Sequence, residues 1–292
     1  MDAVGRVRSF NRIVTQRVGA LEDNFLARDR PLGEARVLWE IGTEGCDLVR
    51  LRSLLELDSG YLSRLLRSLE TDGLVVVEPH VADRRVRVAR LTPEGLRERE
   101  LLDEAADGLA RSLLEPLSAA RRQRLVDAMA EVEQLLTASL VEIARADPSH
   151  RDVQLCIGRY FAEIDERFET GFDMALSVST TLDDFRPPSG VFLLARLRGE
   201  AVGCGGLRFR GEDPPELKRM WVRETERGLG IGRRLLTELE ALAAAGGARS
   251  VRLETNKALT EALGLYRSTG YRDVPPFNDE HHAHHWLEKS LV

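Results

Sequence analysis

A short run of alternating glycines constrains this chain more than any other feature. Residues 227–232 (Arg-Gly-Leu-Gly-Ile-Gly) follow a strand-like segment, residues 216–222, and precede a helix-like Arg-Arg-Leu-Leu. The first amides of a helix have no intrahelical acceptor, and the helix dipole favours negative charge beside them. Glycine also lets the backbone approach phosphate oxygens without an intervening Cβ. The segment therefore predicts a strand, a diphosphate-binding turn and a helix, with Arg227 and Arg233 adding positive charge.

The spacing of these glycines distinguishes between nucleotide sites. A dinucleotide fold carries G-x-G-x-x-G, and a P-loop closes on Gly-Lys-Ser/Thr, whereas here Gly228, Gly230 and Gly232 alternate after an arginine. A dinucleotide site would use Glu254, after the next strand, to bind the ribose. The spacing argues against that site, and a plain helix-start turn with surplus glycines is the other alternative.

A second block lies downstream of the turn. Residues 251–256 (Val-Arg-Leu-Glu-Thr-Asn) indicate a strand, residues 261–266 a helix ending on Leu-Tyr, and Gly270-Tyr271 a turn into a further strand. Together the two blocks resemble the coenzyme A signature of the GNAT acetyltransferase superfamily, over about the last half of the chain. The resemblance implies an α/β (α+β) acyltransferase fold with a mixed central sheet, acetyl-CoA as the cofactor, and an amine as the acceptor.

The resemblance also implies roles for individual residues. Tyr266 matches the family's general acid, which protonates the departing thiolate. The main-chain amides of Met220 and Val222 match those that pair with the pantetheine arm and the thioester oxygen, one of them in an oxyanion-type role. The expected coenzyme contacts are Met220, Trp221, Val222, Arg227, Gly228, Leu229, Gly230, Ile231, Gly232, Arg233, Asn256 and Tyr266.

The base that deprotonates the amine is less well defined. Glu216 lies on the strand before the glycine turn, where some family members carry a catalytic glutamate, and it is our candidate. Glu254 on the next strand is a second carboxylate, and either one would otherwise be a solvated or salt-bridged strand residue. We expect Asn256 to bind the coenzyme or a water molecule.

The first half of the chain has a helical pattern. Residues 36–45 and 48–55 indicate two short helices, and residues 59–71 a third that Asp58 or Ser59 caps. Apolar residues of the third helix recur at helical spacing and predict a buried stripe, Leu62, Leu65, Leu66 and Leu69. Its opposite face carries small polar and basic side chains suited to a DNA major groove.

Two strand-like segments, residues 72–78 and 84–91, follow that helix, and Thr92-Pro93 then begins a long one. This wing resembles the MarR-type winged helix-turn-helix regulators, down to the Asp-Arg-Arg and Leu-Thr-x-x-Gly elements. The implied partner is a double-stranded DNA operator, and Asp83 is expected to orient a wing arginine by a salt bridge. The expected DNA contacts are Ser59, Tyr61, Ser63, Arg64 and Arg67 on the helix and Arg84 and Arg85 on the wing. A winged helix used for protein contacts is the alternative.

Two apolar stripes flank the winged motif. The first is Val4, Val7, Ile13, Val14, Val18, Leu21 and Phe25, and the second is Leu125, Met129, Val132, Leu135 and Leu136. They are either ordinary core or, by the same resemblance, the dimerisation element that presents two recognition helices to a pseudopalindromic operator. Residues 1–146 hold 22 arginines and no lysine against 25 acidic residues, a net charge of −3. DNA binding is therefore expected to depend on shape and dimer geometry more than on bulk charge.

The 292 residues suffice for two domains, and a polar break at residues 145–150 predicts them as 1–146 and 147–292. The second half begins with a helical pattern from Val153 to Phe168, whereas a GNAT fold normally begins with a strand. That strand is either lost or short and disguised.

Composition restricts the compartment and the cofactors. The N-terminal residues predict no signal peptide, and no long apolar run predicts a membrane span. Three distant cysteines, Cys46, Cys156 and Cys204, show no metal-type pairing, so we expect a cytoplasmic protein without membrane contact. Four histidines between residues 281 and 285 fall in a strand-like segment whose neighbours point to opposite faces. We expect no metal site there, and one histidine bordering the acceptor site.

Two functions follow from these patterns. In the first, the chain is a bifunctional transcriptional regulator and acetyl-CoA-dependent N-acetyltransferase that modifies a small-molecule amine or a protein lysine. In the second, it is a non-catalytic, acyl-CoA-sensing DNA-binding regulator. Tyr266 favours the first, because a sensor needs no proton donor.

Overall fold

A computed structural model of the chain describes residues 2–20, 25–27, 29–81, 83–178 and 180–291, so Leu21 of the predicted first stripe lies outside the described residues. The chain divides into two compact units, Met1–Met129 and Ala130–Val292.

The first unit is mainly helical and carries a small sheet. Its helices are α1 (Ala3–Arg17), α2 (Leu32–Ile41), α3 (Leu48–Leu55), α4 (Ser59–Thr71) and α5 (Pro93–Leu114), and the boundary between the units falls within α6 (Ala119–Ser139). Its strands are β1 (Cys46–Asp47), β2 (Val75–Pro79) and β3 (Arg87–Leu91). They form an antiparallel sheet in the order β1-β3-β2, which confirms the winged helix-turn-helix expected from the sequence.

Helix α4 forms as its leucine spacing predicts. Its four stripe leucines are buried in the core of the unit, Leu62, Leu65, Leu66 and Leu69. Asp58 is the N-cap, because its carboxylate accepts from the Tyr61 amide at 2.8 Å. At the other end Gly73 has φ 71°, which allows the Leu74 amide to reach the Leu69 carbonyl at 2.9 Å and close the helix. Both ends of the helix are thus encoded locally.

The Leu-Thr-x-x-Gly element joins the wing to α5. The Thr92 hydroxyl accepts from the Gly95 amide at 3.0 Å and donates to the Gly73 carbonyl at 2.7 Å. A Cβ on Gly95 would lie 2.0 Å from the Leu74 carbonyl oxygen, so only glycine lets α5 approach so closely. The first strand begins at Val75, directly after the end of α4, as the sequence predicts. The second begins at Arg87, later than predicted, because residues 84–86 form the wing turn, in which the Val86 amide donates to the Asp83 carbonyl at 3.0 Å.

The second unit is built on a seven-stranded mixed sheet. Its strands are β4 (Val141–Arg145), β5 (Gly190–Leu197), β6 (Glu200–Arg210), β7 (Asp213–Val222), β8 (Ser250–Thr255), β9 (Arg272–Asp273) and β10 (His285–Ser290), and its helices are α7 (Arg151–Arg167), α8 (Ile231–Ala245) and α9 (Thr260–Ser268). The strand order is β4-β5-β6-β7-β8-β10-β9, with β7 and β8 parallel and the other neighbours antiparallel. Helix α8 packs in one core cluster with Leu193, and α7 packs in another with Phe192. This is the α/β fold with a mixed sheet that the sequence predicts.

Strand β4 corrects the predicted domain boundary. It pairs with β5 over five residues, from Val141 opposite Leu197 to Arg145 opposite Leu193, and so belongs to the sheet of the second unit. Of the two alternatives for the first strand, the structure shows the short, disguised one, and the polar break at residues 145–150 follows this strand. Five residues carry too little period-2 signal to be separated from the end of a helical stripe.

Strand β7 parts from β8 beyond its first few residues. The two strands pair at Glu216 opposite Arg252 and at no later residue of β7. The register with β6 shifts between Cys204 and Gly206, opposite Arg219, which has φ 54°. This bulge turns the end of β7 away from β8 and opens a gap in the sheet.

Candidate active site

The glycine turn leads from β7 into α8. Gly228 has φ 89° and Gly230 has φ 74°, both in the left-handed region that side-chain-bearing residues rarely adopt. Gly230 is the N-cap of α8 and provides no side-chain cap, so the first amides of the helix depend on a ligand or solvent for an acceptor. This is the arrangement that binds a diphosphate.

The amides of the splayed strand face the gap. The Arg223 amide donates to the Val202 carbonyl on β6 at 2.8 Å. Because backbone groups alternate along a strand, the Val222 and Met220 amides point to the opposite side, where β8 does not pair with them. The gap thus offers two backbone donors to an extended polar arm.

A cleft of about 440 Å³ runs along the turn and the splayed strand. The expected coenzyme contacts that line it are Met220, Trp221, Val222, Arg227, Gly228, Gly230, Ile231, Gly232, Arg233 and Tyr266. Leu229 is not among the lining residues and packs against the core. Asn256 is also absent and lines a neighbouring cavity, so the expectation that it binds the coenzyme gains no support from its position.

The two arginines of the turn differ in their partners. Arg227 donates to Glu163 at 2.6 Å and to the Val222 carbonyl at 3.1 Å. Arg233 is exposed and donates to the Ser268 hydroxyl at 3.3 Å, and no carboxylate in the described residues forms an ion pair with it. Arg233 is therefore the more available cation for a phosphate, while Arg227 shapes the turn.

Glu163 on α7 is a site residue that the sequence did not reveal. Its carboxylate accepts from Arg167 at 3.1 Å, Trp221 at 2.9 Å and Arg227 at 2.6 Å, and so ties α7 to β7 and to the glycine turn. Burial alone would raise the pKa of Glu163, but the hydrogen bonds from Arg227, Trp221 and Arg167 lower it overall. In the sequence Glu163 is one polar residue of an amphipathic helix, and nothing local marks it.

A second cavity, of about 320 Å³, adjoins the cleft. Six residues line both spaces, Tyr160, Ile164, Met220, Leu259, Ala262 and Tyr266. The remaining wall combines aromatic rings with polar groups, among them Phe168, Phe172, Lys218, Glu254, Glu280 and His282. We call this space the acceptor cavity. His282 is the histidine that borders it, as expected.

Tyr266 lies where the cleft and the acceptor cavity meet, and it is 6% exposed. Burial, with a smaller contribution from the charge of Glu254, raises its pKa above the ordinary value of about 10. Its hydroxyl is therefore protonated at neutral pH, as a proton donor requires. Tyr160, which also lines both spaces, has a pKa raised in the same direction by burial and by Tyr266.

Glu216 occupies a different environment from the one expected of a base. It is 2% exposed, bonds to Arg208, contacts Arg252 at 3.0 Å and Lys218 at 3.6 Å, and lines neither the cleft nor the acceptor cavity. Burial would raise its pKa, but these three cations lower it overall. The predicted base role therefore finds no support in its position, whereas Glu254 faces the acceptor cavity.

Asn256 holds the end of β8 to the segment that carries His282. Its amide nitrogen donates to the His282 carbonyl at 2.7 Å, and its oxygen accepts from the Ala258 amide at 2.9 Å. Both ends of the side chain thus fix the backbone beside the acceptor cavity.

The first unit carries the residues expected to contact DNA. Tyr61 is 38% exposed, and the Arg64 guanidinium lies 5.4 Å from its ring centroid. The remaining expected helix contacts, Ser59, Ser63 and Arg67, are also exposed. Arg84 and Arg85 are exposed in the wing turn. Asp83 caps that turn by accepting from the Arg85 amide at 3.0 Å. The expected salt bridge from Asp83 to a wing arginine is not found among the described residues.

The second unit thus combines a diphosphate turn, a splayed strand with free amides, and a proton donor where the cleft meets a second cavity. These features fit coenzyme A and define an acyltransferase. A family model described as "Acetyltransferase (GNAT) family" matches residues 159–271, and one described as "MarR family" matches residues 29–86.

Similar proteins agree with the first of these matches. An IAA acetyltransferase of Azospirillum brasilense is 35% identical over 138 residues, which are 47% of this chain and 88% of the relative. An uncharacterised N-acetyltransferase of Schizosaccharomyces pombe is 31% identical over 130 residues, 43% of this chain and 78% of the relative. A crystal structure of a GNAT-family acetyltransferase from Staphylococcus aureus is 20% identical with a TM-score of 0.45, covering 52% of this chain and 99% of that one.

The chain belongs to the GNAT family of acetyltransferases, and it joins that domain to a MarR-family region. It is an N-acetyltransferase that uses acetyl-CoA. Among the helices of the described residues, none has the length and apolar character needed to cross a membrane.

Proposed function

We propose that this enzyme acetylates the amine of a small molecule and that the same chain binds a DNA operator as a homodimer, acting as a transcriptional regulator. The observation that carries the catalytic part is the position of Tyr266 and Met220, which line both the coenzyme cleft and the acceptor cavity. Acetyl-CoA in the coenzyme cleft and an amine in the acceptor cavity therefore meet at these two residues. The acceptor cavity, of about 320 Å³, can hold a small-molecule amine.

The residues around this junction suit acyl transfer. Acetyl-CoA supplies an acetyl group activated as a thioester. The carboxylate of Glu254 accepts a proton from the substrate ammonium, directly or through water, so that the neutral nitrogen attacks the carbonyl carbon. The Met220 amide faces the gap and stabilises negative charge on the carbonyl oxygen. As the carbon–sulfur bond breaks, the Tyr266 hydroxyl gives its proton to the sulfur, and the phenolate regains one from solvent or from Glu254.

Release of free thiol from acetyl-CoA with a panel of amines tests the catalytic proposal. We expect amine-dependent release, and we expect Glu254→Gln to lower kcat by about 100-fold, the usual contribution of a positioned proton acceptor. Glu288→Gln is the matched control, because Glu288 is a carboxylate of β10, two strands from β7, that lines neither space. Tight coenzyme A binding without thiol release from any amine would favour the sensor function instead.

The DNA-binding part of the proposal depends on the exposed surfaces of the first unit. The face of α4 opposite its leucine stripe is polar and basic, and the wing arginines are exposed. Helix α1 leaves apolar side chains 45–68% exposed, Val4, Val7, Phe10 and Ile13, and α6 leaves Val126 and Met129 44% and 52% exposed. Such apolar area on a soluble helix favours a partner copy. Sedimentation analysis should show a dimer, and Val7→Asp with Ile13→Asp should give a monomer with weakened operator binding, while a monomeric wild type would contradict the proposal.

A further inference from the structure

The acceptor cavity carries a carboxylate that no cation of the described residues neutralises. We propose that the cavity selects an amine that bears a second cationic group, a diamine in the simplest case, and that Glu280 and the neighbouring aromatic rings bind this second group. The inference rests on the proposed function for the reacting amine, and it adds the chemical class of the acceptor.

The charged groups of the cavity wall are unequally paired. Lys218 bonds to Glu254, and its ammonium also lies 3.6 Å from Glu216. The Arg219 guanidinium lies 5.5 Å and 5.1 Å from two phenyl centroids, those of Phe161 and Phe185, and donates to the Thr180 carbonyl at 2.8 Å. Glu280 forms no ion pair with a described residue. Glu280 and Arg219 therefore both face the cavity without an ion-pair partner among the described residues, but two phenyl rings and a carbonyl oxygen already engage the guanidinium.

Neutral donors hold the Glu280 carboxylate in place. One of its oxygens accepts from the Ser177 hydroxyl at 2.7 Å and from the Val178 amide at 2.9 Å, and the other accepts from the His282 amide at 3.3 Å. These donors orient the carboxylate without cancelling its charge. A fixed, half-buried carboxylate attracts a cationic ligand more strongly than a solvated one, because less water must be displaced and no side chain must be ordered.

Aromatic rings stand beside this carboxylate. The Phe172 and His282 centroids are 4.8 Å apart, and Phe168 lies 6.2 Å and 5.9 Å from them. Ring faces attract ammonium groups and also pack against a hydrocarbon spacer. The His282 ring is fixed by its Nε2, which lies 3.0 Å from the Asp173 carbonyl oxygen. A carboxylate beside a cluster of aromatic rings is the combination that recognises an organic cation.

The two carboxylates of the cavity serve different ends of the ligand. Glu254 bonds to Lys218 of β7, two residues before Met220, which places Glu254 near the transfer end. Glu280 bonds to Ser177 and Val178, which line the acceptor cavity but not the coenzyme cleft, and this places it away from the transfer end. An acceptor with amines at both ends can therefore offer one to the thioester and leave the other at Glu280.

Acceptor kinetics test this assignment. Linear diamines of three to eight carbons are compared with monoamines and ω-amino acids of equal carbon number. For the best chain length, we expect kcat/KM of the diamine to exceed that of the monoamine by roughly 10- to 100-fold, the usual range for a charge-assisted hydrogen bond, and the amino acid to be poorest. Glu280→Gln keeps an oxygen for Ser177 and Val178 but removes the charge, and it should reduce the diamine advantage to less than about threefold with little change for the monoamine. Asp279→Asn, at an exposed neighbouring residue outside the cavity, should retain the full advantage.

A binding measurement separates this inference from the proposed function. Hexyltrimethylammonium cannot be acetylated, and calorimetry on the full chain with coenzyme A should show it binding at least tenfold more tightly than hexanoate, with the difference lost in Glu280→Gln. If no amine releases thiol but this preference is found, the catalytic proposal fails and the cation site stands. Equal binding of cation and anion, or a diamine preference that survives Glu280→Gln, would overturn the inference.

Discussion

Helix α4 and the acceptor cavity supply their side chains in different ways. All the α4 residues expected to contact DNA lie within one helix of 13 residues, and its period alone separates them from the buried leucines. The acceptor cavity draws on α7, β7, β8, α9 and the segments around Phe172 and Glu280, which are distant in the chain. A surface on one element can be read from local periodicity, whereas a cavity shared by many elements cannot.

The coenzyme cleft is intermediate in how much of it could be predicted from the sequence. One side of it comes from a single segment between Met220 and Arg233, and its main recognition groups are backbone amides. The rest of its wall comes from α9 and from α7, where Glu163 and Arg167 were not predicted. Backbone recognition leaves a glycine pattern in the sequence, but side-chain recognition from a remote helix leaves none. We therefore expect substitutions in α4, in the coenzyme cleft and in the acceptor cavity to differ in how many properties of the protein they change.

The largest effect should come from Tyr266, which lines both the cleft and the acceptor cavity. Tyr266→Phe removes the proposed proton donor and keeps the ring, so kcat should fall by about 100-fold while the Kd for coenzyme A stays within twofold of wild type. Thiol-release assays measure kcat, and calorimetry measures the Kd for coenzyme A. Tyr271→Phe is the control, because Tyr271 packs against Tyr266 but lines neither space. An unchanged kcat would remove Tyr266 from the mechanism.

The elements that could be predicted from the sequence are those with local signals. The α4 leucines, the Thr92 cap of α5 and the glycine turn all appear where their patterns place them. Strand β4 was missed because five alternating residues resemble the end of an amphipathic helix. The position of Glu216 could not be foreseen, because the cations that bury it, Arg208 and Arg252, come from neighbouring strands.

The contiguous site in the first unit should respond to single changes without disturbing the fold. Arg67→Ala removes an exposed guanidinium from α4, and operator affinity should fall by roughly tenfold, within the range for one base or phosphate contact. Fluorescence anisotropy at fixed salt measures this loss. Arg111→Ala changes an exposed arginine of α5 that pairs with Asp107, and it should leave the affinity unchanged. Equal losses in both variants would mean that bulk charge, and not the α4 surface, drives DNA binding.

A substitution at Gly230 tests whether coenzyme A binding depends on the backbone conformation of the turn. Gly230→Ala forces a Cβ onto a residue with φ 74°, at a cost of about 1–2 kcal/mol, and the distorted turn should weaken coenzyme A binding by roughly fivefold. Gly211→Ala places the same strain at φ 56° in the hairpin between β6 and β7, where a Cβ meets no atom within 4 Å. Both variants should lose similar stability in urea unfolding, but only Gly230→Ala should lose coenzyme affinity.

The smallest effect should come from the exposed cation beside the turn. Arg233 has no carboxylate partner in the described part of the chain, so Arg233→Gln removes a charge that is free to meet a phosphate. Solvent screens such an exposed charge, and the Kd for coenzyme A should therefore rise only about threefold at low ionic strength and less at high salt. Arg234→Gln alters the next residue, which donates to the Ala138 carbonyl at 3.1 Å and lies outside the cleft. Calorimetry at two salt concentrations compares the variants. The loss of coenzyme A affinity in Arg233→Gln could instead be independent of salt, or Arg234→Gln could lose as much affinity. Either result would show that the charge of Arg233 does not help the backbone amides to bind the diphosphate.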